Sequence, residues 1–571
     1  MSTPTRDGLV PWPQDLADHY RAQGFWRDEP LWAAIWRAAD DHPDDVAVVD
    51  GDTRLSYREL IQRADGVARR LLDLGIAADD RVVVQLPNSW HFAVFTLGCL
   101  RAGVIPVMAL PAHRRFELEY LARHAEAVAV VVPDSHRGFD HQDLGDQLKE
   151  AVDSVRSVIV AGVAGDHNVS LDALCELPDD PDALRLAFDS ADISPDAVAV
   201  FLLSGGTTGL PKLIPRSHND YAYNLVATTA TAEMDAGSVY LVVLPAGHNF
   251  PLACPGFLGA LALGARVVML PSPEPEKAFA AIQSHGVTHV AAVPAVVQRW
   301  IDYEAEHRTG RLGSLSVLQV GGSRLVDELA ARVTPVLGCR LQQVFGMAEG
   351  LINTTRLDDP HDVIVQTQGR PVSSGDEVRV VDEEGRILPA GEHGVLETRG
   401  PYTLLGYYRA PEHNKRSFTE DGWYITGDIV ELRPDGNLIV QGRNKDMINR
   451  AGEKVSGEEV ENLIYRLDAV EMVAAVAMPD SDLGERVCAY VMVREHSESL
   501  TLAQVQDVMR EAGVAAFKLP EVLVLIDEMP MTKIGKIDKK ALREDLAERG
   551  PLAPGSAVDA RSAASFASGL S

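Results

Sequence analysis

The chain has 571 residues, 46% of them hydrophobic and 24% charged, a composition typical of a globular enzyme with more than one domain. Its 53 Lys and Arg against 83 Asp and Glu give a net charge of −30, which argues against nucleic acid as a partner, because that binding depends on Lys and Arg replacing counterions. The N-terminal sequence lacks the pattern of a signal peptide, and the apolar runs fall short of the roughly 18 residues of a membrane span. We therefore expect a cytoplasmic protein with no membrane partner.

Helical and strand patterns alternate along most of the chain. The first clear helix follows LSYREL, where Ser56 and Glu59 predict a capping box and Gly75 marks the helix end. Short runs rich in β-branched residues then recur as DRVVVQL, AVAVVVP, SVYLVVLP, ARVVMLP and THVAAVP. Continuous apolar strands of this kind are typical of sheets covered on both faces. The predicted fold class is therefore α/β.

The pattern changes after about residue 370. EVRVVDEEGRILPAGEHGVLETRG predicts a strand, a turn at DEEG and a second strand. GNLIVQGRNKDMINRAGEKVSGEEVENLIYRL predicts a strand that leads through a polar joint into a helix, and VAAVAMPD and RVCAYVMV predict two more strands. We place a domain boundary at 442–446 and expect the small, polar segment after residue 549 to be a disordered tail.

The cysteines are too scattered for a metal site. The five are Cys99, Cys175, Cys254, Cys339 and Cys488. None forms a CxxC pair, so ligation of zinc by thiolates is not expected. We interpret them as small buried residues, with Cys254 as a candidate exception.

The stretch LLSGGTTGLPK has the composition of a phosphate-binding loop. Its glycines follow an apolar strand, and Lys212 follows the glycines. It is not a P-loop, because Pro211 and Leu213 flank the lysine where that motif requires Gly and Ser or Thr. The alternative is an ordinary glycine-rich turn before a surface lysine.

Six separated motifs resemble the adenylate-forming superfamily of acyl-CoA synthetases, peptide-synthetase adenylation domains and luciferases. In chain order they are LSYREL, LLSGGTTGLPK, FGMAEG, GWYITGD, GRNKDMI and MTKIGKIDKK, and the resemblance covers roughly residues 30–545. It implies a large N-terminal domain (1–442) with two α/β sheets and a small β-barrel, a hinge (443–446), and a small mobile α+β C-terminal domain (447–548) before the tail (549–571).

The resemblance implies a reaction in two steps. A carboxylate attacks the α-phosphate of ATP to give acyl-AMP and pyrophosphate, and a thiol then attacks the acyl-AMP. Because both reactants of the first step are anions, the site must supply positive charge and backbone donors. Mg²⁺ is the implied cofactor beside ATP, with Glu349 as its ligand, since a cation that bridges phosphates takes one or two carboxylates. The alternative for Glu349 is a solvated surface residue.

The resemblance implies that three groups of residues bind the phosphates, the ribose and the adenine of the nucleotide. Ser204, Gly205, Gly206, Thr207, Thr208, Gly209 and Lys212 surround the phosphates, Asp428 and Arg443 hold the ribose, and Gly321, Gly322, Ser323, Val344, Phe345 and Gly346 line the adenine. Glycines permit a flat base to lie against the backbone, and a carboxylate accepts from both ribose hydroxyls.

The C-terminal region carries the predicted catalytic lysine. By the resemblance, Lys536 in KIGKIDKK bridges the attacking carboxylate and the α-phosphate, where charge concentrates in the transition state. Lys445 occupies the hinge position, about which the C-terminal domain rotates between the two steps. Gly452 and Lys454 would then face the incoming pantetheine arm. By composition alone, Lys536 belongs to a solvated basic run.

The stretch HNFPLACPG indicates an aryl acid as the substrate. Amino-acid-activating relatives have an Asp where this chain has Asn249, and a neutral amide leaves a buried ammonium unpaired. The stretch resembles ligases that activate 2,3-dihydroxybenzoate and salicylate in siderophore assembly. Cys254 favours salicylate, because a thiol pairs poorly with a second ring hydroxyl. The predicted substrate residues are Asn249, Phe250, Cys254, Val344 and Ile352.

Several alternatives remain open from the sequence. His248 resembles the family's residue beside the substrate carboxylate, which an inert buried histidine would also explain, and Cys254 could be a simple core residue. The expected acceptor is the phosphopantetheine thiol of an aryl carrier protein, and free CoA is the alternative. A non-catalytic nucleotide-binding protein is the remaining reading, against which Lys536, Glu349 and Lys212 argue.

Overall fold

A computed structural model describes most of the chain. The described residues are 8–204, 211–322, 324–325, 327–382, 384–443, 447–494, 500–530, 537, 539–550 and 552–560. The described residues of 8–111, 121–204 and 212–442 form one compact unit, and those of 112–120 and 443–560 belong to a second.

The first part of the chain alternates helices and short strands. In order they are α1 (Gln14–Ala22), α2 (Ala33–Asp41), β1 (Val46–Asp50), β2 (Thr53–Ser56), α3 (Tyr57–Asp73), β3 (Arg81–Val84), α4 (Trp90–Ala102), β4 (Ile105–Met108), α5 (Arg115–Ala125), β5 (Ala129–Pro133), β6 (Ser135–His136), β7 (Phe139–Asp140), α6 (His141–Ala151), β8 (Ser157–Ala161), β9 (Val169–Ser170), α7 (Leu171–Leu174), α8 (Pro181–Asp189) and β10 (Val198–Ser204).

The alternation continues through the middle of the chain. In order follow β11 (Lys212–Ser217), α9 (His218–Thr231), β12 (Val239–Val242), α10 (Asn249–Ala253), α11 (Gly256–Ala262), β13 (Arg266–Met269), α12 (Pro275–His285), β14 (His289–Ala292), α13 (Pro294–His307), β15 (Val317–Val320), α14 (Asp327–Leu337), β16 (Arg340–Met347), β17 (Gly350–Thr354), α15 (His361–Gln366), β18 (Arg370–Pro371), β19 (Glu377–Val381), β20 (His393–Arg399), α16 (Pro411–Ser417), β21 (Tyr424–Leu432) and β22 (Leu438–Arg443).

The remaining elements lie beyond residue 443. They are β23 (Met447–Arg450), β24 (Glu453–Ser456), α17 (Gly457–Ile464), β25 (Val470–Asp480), β26 (Gly484–Val493), α18 (Leu502–Glu511), the 3₁₀ turn Ala516–Lys518, β27 (Val522–Leu525), α19 (Lys539–Arg549) and β28 (Ala557–Asp559).

The first unit is built on two large sheets. One has the strand order β18-β17-β16-β15-β14-β12-β13-β1-β2 and the other β11-β10-β4-β3-β5-β8-β9. The central strands of both sheets are parallel, as β12 with β13 and β3 with β5 show, whereas β17 pairs antiparallel with both of its neighbours. Strands β19 to β22 form a separate four-stranded sheet. The predicted α/β class and its two sheets are confirmed, and the apolar runs proposed as strands are β3, β5, β12, β13 and β14.

The core of the first unit holds helices close to one another. Ser56 and Glu59 form the predicted capping box of α3, and Gly75 follows the helix with φ 76°. Gly98 brings α4 against α3, because a Cβ at this position would lie 2.5 Å from Cγ1 of Val67 and 3.1 Å from the carbonyl oxygen of Ala64. Any larger residue at Gly98 would therefore push the two helices apart.

The strand, turn and second strand predicted for EVRVVDEEGRILPAGEHGVLETRG are present, with β19 and β20 as the two strands. Directly after the turn, Ile387 makes a single bridge to Val381, and the continuous pairing of β19 is with β20. The turn fits its sequence, since Asp382 accepts from the backbone N–H groups of Glu384 and Arg386. The sequence ILPAGE that follows interrupts the pairing, because Pro389 cannot donate a ladder hydrogen bond.

The second unit contains a six-stranded sheet with β24-β23-β26-β27-β28 in order and β25 on β26. The polar joint predicted before helix α17 contains a hairpin instead, because β23 and β24 pair through Arg450 and Glu453. Ala451 and Gly452 form its turn with φ 51° and 89°. Two positive φ values are typical of a type I′ turn, whose twist matches that of the flanking strands.

Strand β28 lies within the segment predicted to be a disordered tail. Ala557–Asp559 pair in parallel with β27, and Ala560 behind them is buried. The prediction of disorder for 549–571 is therefore wrong for these residues, because their backbone pairs with a sheet edge and Leu552, Val558 and Ala560 pack against an apolar cluster of the second unit. In the described part of the chain, no helix combines the length and apolarity needed to cross a bilayer.

Candidate active site

The predicted phosphate loop connects two antiparallel strands. Ser204 at the end of β10 pairs with Lys212 at the start of β11, so the glycine-rich residues form the connection between them. Lys212 is buried, in contrast to the alternative of a surface lysine. The Oγ atom of Ser204 is also buried and has no hydrogen-bond partner among the described residues. A buried hydroxyl without a partner is costly, so this position suits an anionic ligand that accepts from it.

Glu349 and Lys212 lie around the same tyrosine. The hydroxyl of Tyr407 donates to Oε1 of Glu349 at 2.8 Å and lies 2.9 Å from the hydroxyl of Tyr424. Nζ of Lys212 lies 5.7 Å from the centroid of the Tyr407 ring. Burial, and then the charge of Glu349, raise the pKa of Tyr407 well above its ordinary value, so its hydroxyl remains a donor. The tyrosine thus holds one oxygen of the carboxylate in place.

The remaining oxygen of Glu349 fits a magnesium ligand. Glu349 is buried, unlike a solvated surface glutamate, and its Oε2 has no hydrogen-bond or ion-pair partner among the described residues. The described part of the chain contains no cluster of three or more His, Cys, Asp or Glu able to hold a metal by itself. A single carboxylate of this kind suits Mg²⁺ that takes its other ligands from phosphate and water.

The carboxyl ends of the parallel strands bring together an apolar wall. Val320 of β15 pairs with Gln343 of β16, which places Gly321 beside Val344. A Cβ at Gly321 would lie 2.7 Å from the carbonyl oxygen of Val344 and 3.2 Å from the ring of Phe250. Only glycine allows this approach, and the carboxyl ends of the strands are where ligands bind in such sheets.

A buried polar cluster surrounds Cys254. Asn249, at the start of α10, receives a hydrogen bond from the hydroxyl of Tyr221 at 2.7 Å, and its Nδ2 lies 3.3 Å from Sγ of Cys254. Asn224 donates to the carbonyl oxygen of Ala253 at 2.5 Å, and its Nδ2 lies 3.9 Å from the same sulfur. Burial raises the pKa of Cys254 to about 12, so its thiol stays protonated. The groups that approach its sulfur are the neutral amides of Asn249 and Asn224, and the nearby charge of Arg216 is paired with Asp220.

His248 is exposed, so the alternative of an inert buried histidine does not apply. It caps the N-terminus of α10, where its Nδ1 accepts from the backbone N–H of Phe250 at 3.3 Å. With Nδ1 as the acceptor, the proton of the neutral ring is on Nε2. The histidine therefore presents a donor at the same end of the helix as Asn249 and Phe250.

Other predicted residues occupy neighbouring strands. Ile352 in β17 pairs with Gly346 in β16, and a Cβ at Gly346 would lie 3.1 Å from its Cγ1. Phe345 in β16 is half-buried, and Gly322 has φ 84°. Asp428 in β21 is buried, and its backbone N–H donates to Thr426.

For some predicted site residues, the structure describes neither the side chain nor, in most cases, the backbone. Gly205, Gly206, Thr207, Thr208, Gly209, Ser323, Lys445 and Lys536 lie outside the described residues. Arg443 ends β22 and Lys454 lies in β24, but their side chains are not among those described, and Gly452 lies in the hairpin turn. The functions assigned to these residues stay predictions.

Sequence reasoning missed Tyr221, Asn224, Arg216 and Tyr407. The first three lie on α9 or just before it, where the buried residues include the polar run His218, Asn219 and Asp220. A helix that begins with a capping box and buries polar residues in its first turns indicates a buried polar site, although none of the six motifs includes it. Tyr407 carries no such signal, because its partner is Glu349, 58 residues earlier in the chain.

The fold and the site define a nucleotide-binding α/β enzyme, and comparison with known proteins identifies its family. Residues 35–408 match the family described as AMP-binding enzyme, and residues 459–536 match the AMP-binding enzyme C-terminal domain. The chain therefore belongs to the AMP-binding enzyme family.

Individual relatives place the chain within this family. It is 57% identical to a salicylyl-CoA synthase / salicylate adenylyltransferase of a Streptomyces species, over 95% of this chain and 98% of the relative. It is 46% identical to the salicyl-AMP ligase / salicyl-S-ArCP synthetase of Mycobacterium tuberculosis, over 94% of each chain. The structure of apo MbtA from Mycobacterium smegmatis matches with a TM-score of 0.72 and 45% identity, over 94% of this chain and 98% of that one. The predicted membership in the aryl-acid branch of the adenylate-forming superfamily is confirmed.

Proposed function

We propose that the protein activates salicylate with ATP and transfers the salicyl group to the phosphopantetheine thiol of an aryl carrier protein. The observation that carries the choice of an aryl acid is the neutral cluster of Asn249 and Cys254 close to the ring of Phe250. A flat apolar ring fits against Phe250, Gly321 and Val344, whereas an ammonium group would find no carboxylate in that cluster.

The first step joins two anions, and the residues around the phosphate loop reduce their repulsion. One oxygen of the salicylate carboxylate forms a bond to the α-phosphorus of ATP as the bond to pyrophosphate breaks. Ser204 and Lys212 hold the phosphates, and Mg²⁺ on Glu349, when bound, offsets their charge. We assign Nε2 of His248 to a hydrogen bond with the substrate carboxylate, and Lys536 to the charge that develops between carboxylate and α-phosphate.

The second step breaks the mixed anhydride. The sulfur of the thiol forms a bond to the carboxyl carbon of salicyl-AMP, AMP leaves with the bonding electron pair, and the proton of the thiol passes to solvent. In this step Gly452 and Lys454 are proposed to lie along the pantetheine arm, after a rotation about Lys445. We propose a cytoplasmic location, since ATP and carrier proteins are available there.

Salicylate-dependent exchange of labelled pyrophosphate into ATP, measured beside a panel of ring-substituted benzoates, tests the first step. We expect salicylate to give the highest kcat/KM, and an amino acid such as phenylalanine to give no exchange above background. Exchange with amino acids but with no aryl acid would contradict the proposal, as would the absence of exchange with every acid.

Free CoA is the second candidate acceptor, because the relative with 57% identity is named a salicylyl-CoA synthase. The two acceptors are distinguished by offering the enzyme salicylate, ATP and either CoA or a phosphopantetheinylated aryl carrier protein. We expect a higher kcat/KM with the carrier protein. Turnover with CoA at an equal or higher kcat/KM would assign the enzyme to CoA thioester formation instead.

Cys254→Ser should shift selectivity from salicylate toward 2,3-dihydroxybenzoate. A serine hydroxyl pairs with a second ring hydroxyl, and an unpaired buried hydroxyl costs about 1–3 kcal/mol, so we expect the ratio of the two kcat/KM values to change by about tenfold or more. Pyrophosphate exchange with each acid measures the ratio. Cys339→Ser is a matched control, because Cys339 is also a buried free thiol but lies just before the first residue of β16, away from the carboxyl end of that strand. An unchanged ratio in Cys254→Ser would leave Cys254 as a core residue only.

A further inference from the structure

The hydroxyl of Tyr221 determines the orientation of the side-chain amide of Asn249. Tyr221 is fully buried, and Oδ1 of Asn249, at 2.7 Å, is the only hydrogen-bond partner that the described residues offer its hydroxyl. Burial raises the pKa of Tyr221 well above its ordinary value, so the hydroxyl keeps its proton and must donate it. Only the oxygen of an amide accepts. Oδ1 of Asn249 therefore points to Tyr221, and Nδ2 points away from it.

The nitrogen of this amide has one hydrogen to offer a ligand. Nδ2 of Asn249 lies 3.3 Å from Sγ of Cys254, the partner of one of its two hydrogens. The thiol is itself protonated, and Asn224 approaches the same sulfur with its own Nδ2 at 3.9 Å. The cluster thus directs N–H groups toward Cys254, and the second hydrogen of Asn249 remains for a bound aryl acid.

Arg216 holds the tyrosine ring in this position. Its guanidinium carbon lies 4.6 Å from the centroid of the Tyr221 ring. The guanidinium is itself anchored, because Nε donates to Asp220 at 2.7 Å and Nη1 donates to the carbonyl oxygen of Ala348 at 3.0 Å. A cation over the ring lowers the pKa of the phenol relative to burial alone and so strengthens the hydroxyl as a donor.

We propose that Tyr221 is a positioning residue that presents the N–H of Asn249, and not its C=O, to the ortho substituent of the aryl acid, so that the site selects an ortho hydroxyl over an ortho amino group. The inference rests on the proposed function. In salicylate the hydroxyl donates to its own carboxylate, and its oxygen accepts from Asn249. In 2-aminobenzoate the amino group donates one hydrogen to the carboxylate and turns the other toward Asn249, where donor meets donor.

The test compares salicylate and 2-aminobenzoate in pyrophosphate exchange with the full-length wild type and Tyr221→Phe. We expect the wild type to favour salicylate by about thirtyfold, since an unpaired buried donor costs about 1–3 kcal/mol. In Tyr221→Phe the amide is free to turn, so kcat/KM should fall for salicylate and rise for 2-aminobenzoate, and the ratio should drop by about tenfold. Damage to the fold would lower both values, so a rise for 2-aminobenzoate is specific to the proposal.

Tyr57→Phe is the matched control. Tyr57 is also fully buried, and its hydroxyl donates to the carbonyl oxygens of Leu261 at 3.1 Å and Ala265 at 2.8 Å, not to Asn249. We expect this variant to retain the wild-type ratio. An equal drop in Tyr57→Phe, or a ratio in Tyr221→Phe within twofold of wild type, would overturn the inference.

A second variant keeps the test decisive if Tyr221→Phe does not fold. Asn249→Asp places an oxygen where the N–H group stands, so it should also lower the ratio of kcat/KM for salicylate to that for 2-aminobenzoate. An unchanged ratio would overturn the inference. The failure of the proposed function is distinguishable, because the wild type itself would then give no exchange with salicylate or any other aryl acid.

Discussion

Lys536→Ala should lower the rate of salicyl-AMP formation by about a hundredfold to a thousandfold while ATP still binds. The lysine is assigned to the point where the carboxylate and the α-phosphate join, and a charge that acts there stabilises the transition state more than the bound substrates. The measurement is single-turnover formation of salicyl-AMP, with ATP affinity determined separately by titration. The assignment comes from the motif MTKIGKIDKK, since Lys536 lies outside the described residues.

Lys540→Ala is the control for this variant. Lys540 belongs to the same basic run, its side chain is 80% exposed, and it lies 3.8 Å from Glu544 on the same helix. We expect it to retain wild-type activity. Lys536→Ala should also still form the thioester from salicyl-AMP supplied directly, because the lysine is assigned to the first step alone. Pyrophosphate exchange within tenfold of wild type in Lys536→Ala would contradict its catalytic role.

Glu349→Gln should lower kcat/KM for ATP by about a hundredfold and raise the Mg²⁺ concentration needed for half-maximal exchange. Glutamine has the shape of glutamate and still accepts the hydrogen bond from Tyr407, so the change removes the charge and leaves the local packing intact. Exchange measured across a Mg²⁺ titration gives the shift. Binding of Mn²⁺ to the enzyme–ATP complex, followed by its electron paramagnetic resonance, gives a readout independent of turnover.

Two further variants separate charge from position at Glu349. Tyr407→Phe keeps the carboxylate but removes its hydrogen bond, so we expect a smaller loss, about tenfold, in the same direction. Glu412→Gln removes a carboxylate that is 79% exposed and paired with Lys415, and should change neither readout. Unaltered Mn²⁺ affinity in Glu349→Gln would show that this carboxylate is not the metal ligand.

The local features of the fold were predictable because they depend on near neighbours in the chain. The capping box at Ser56 and Glu59 needs only residues three apart, and strands such as β12 and β13 are recognisable as short runs of β-branched residues. The differences from prediction occurred where pairing with another segment decides the structure. Strand β28 is ordered by the edge of β27, and the polar joint before α17 folds as the hairpin of β23 and β24.

The site residues likewise divide into those that the sequence predicted and those that only the structure revealed. Glycine-rich and charged motifs indicated a phosphate loop and a metal-binding carboxylate, because those chemistries demand particular residue types at fixed spacing. The structure brings Lys212 and Glu349 to one tyrosine and Phe250 to Gly321 and Val344. Tyr407 and Tyr221 belong to no motif. From the sequence, such a tyrosine cannot be distinguished from an ordinary core residue, because the hydrogen-bond partner of its hydroxyl is known only from the structure.

By itself the sequence determined the family, the aryl-acid branch and the residue types at the site, because motifs preserve the chemistry of a reaction in chain order. Only the tertiary structure decided how the side chains of those residues are oriented. A hydrogen bond has a direction, and the end of the Asn249 amide that meets a substrate depends on Tyr221, 28 residues away in the chain. The direction of this hydrogen bond is fixed because the buried hydroxyl of Tyr221 must donate its proton. Burial of that hydroxyl is a property of the folded protein alone.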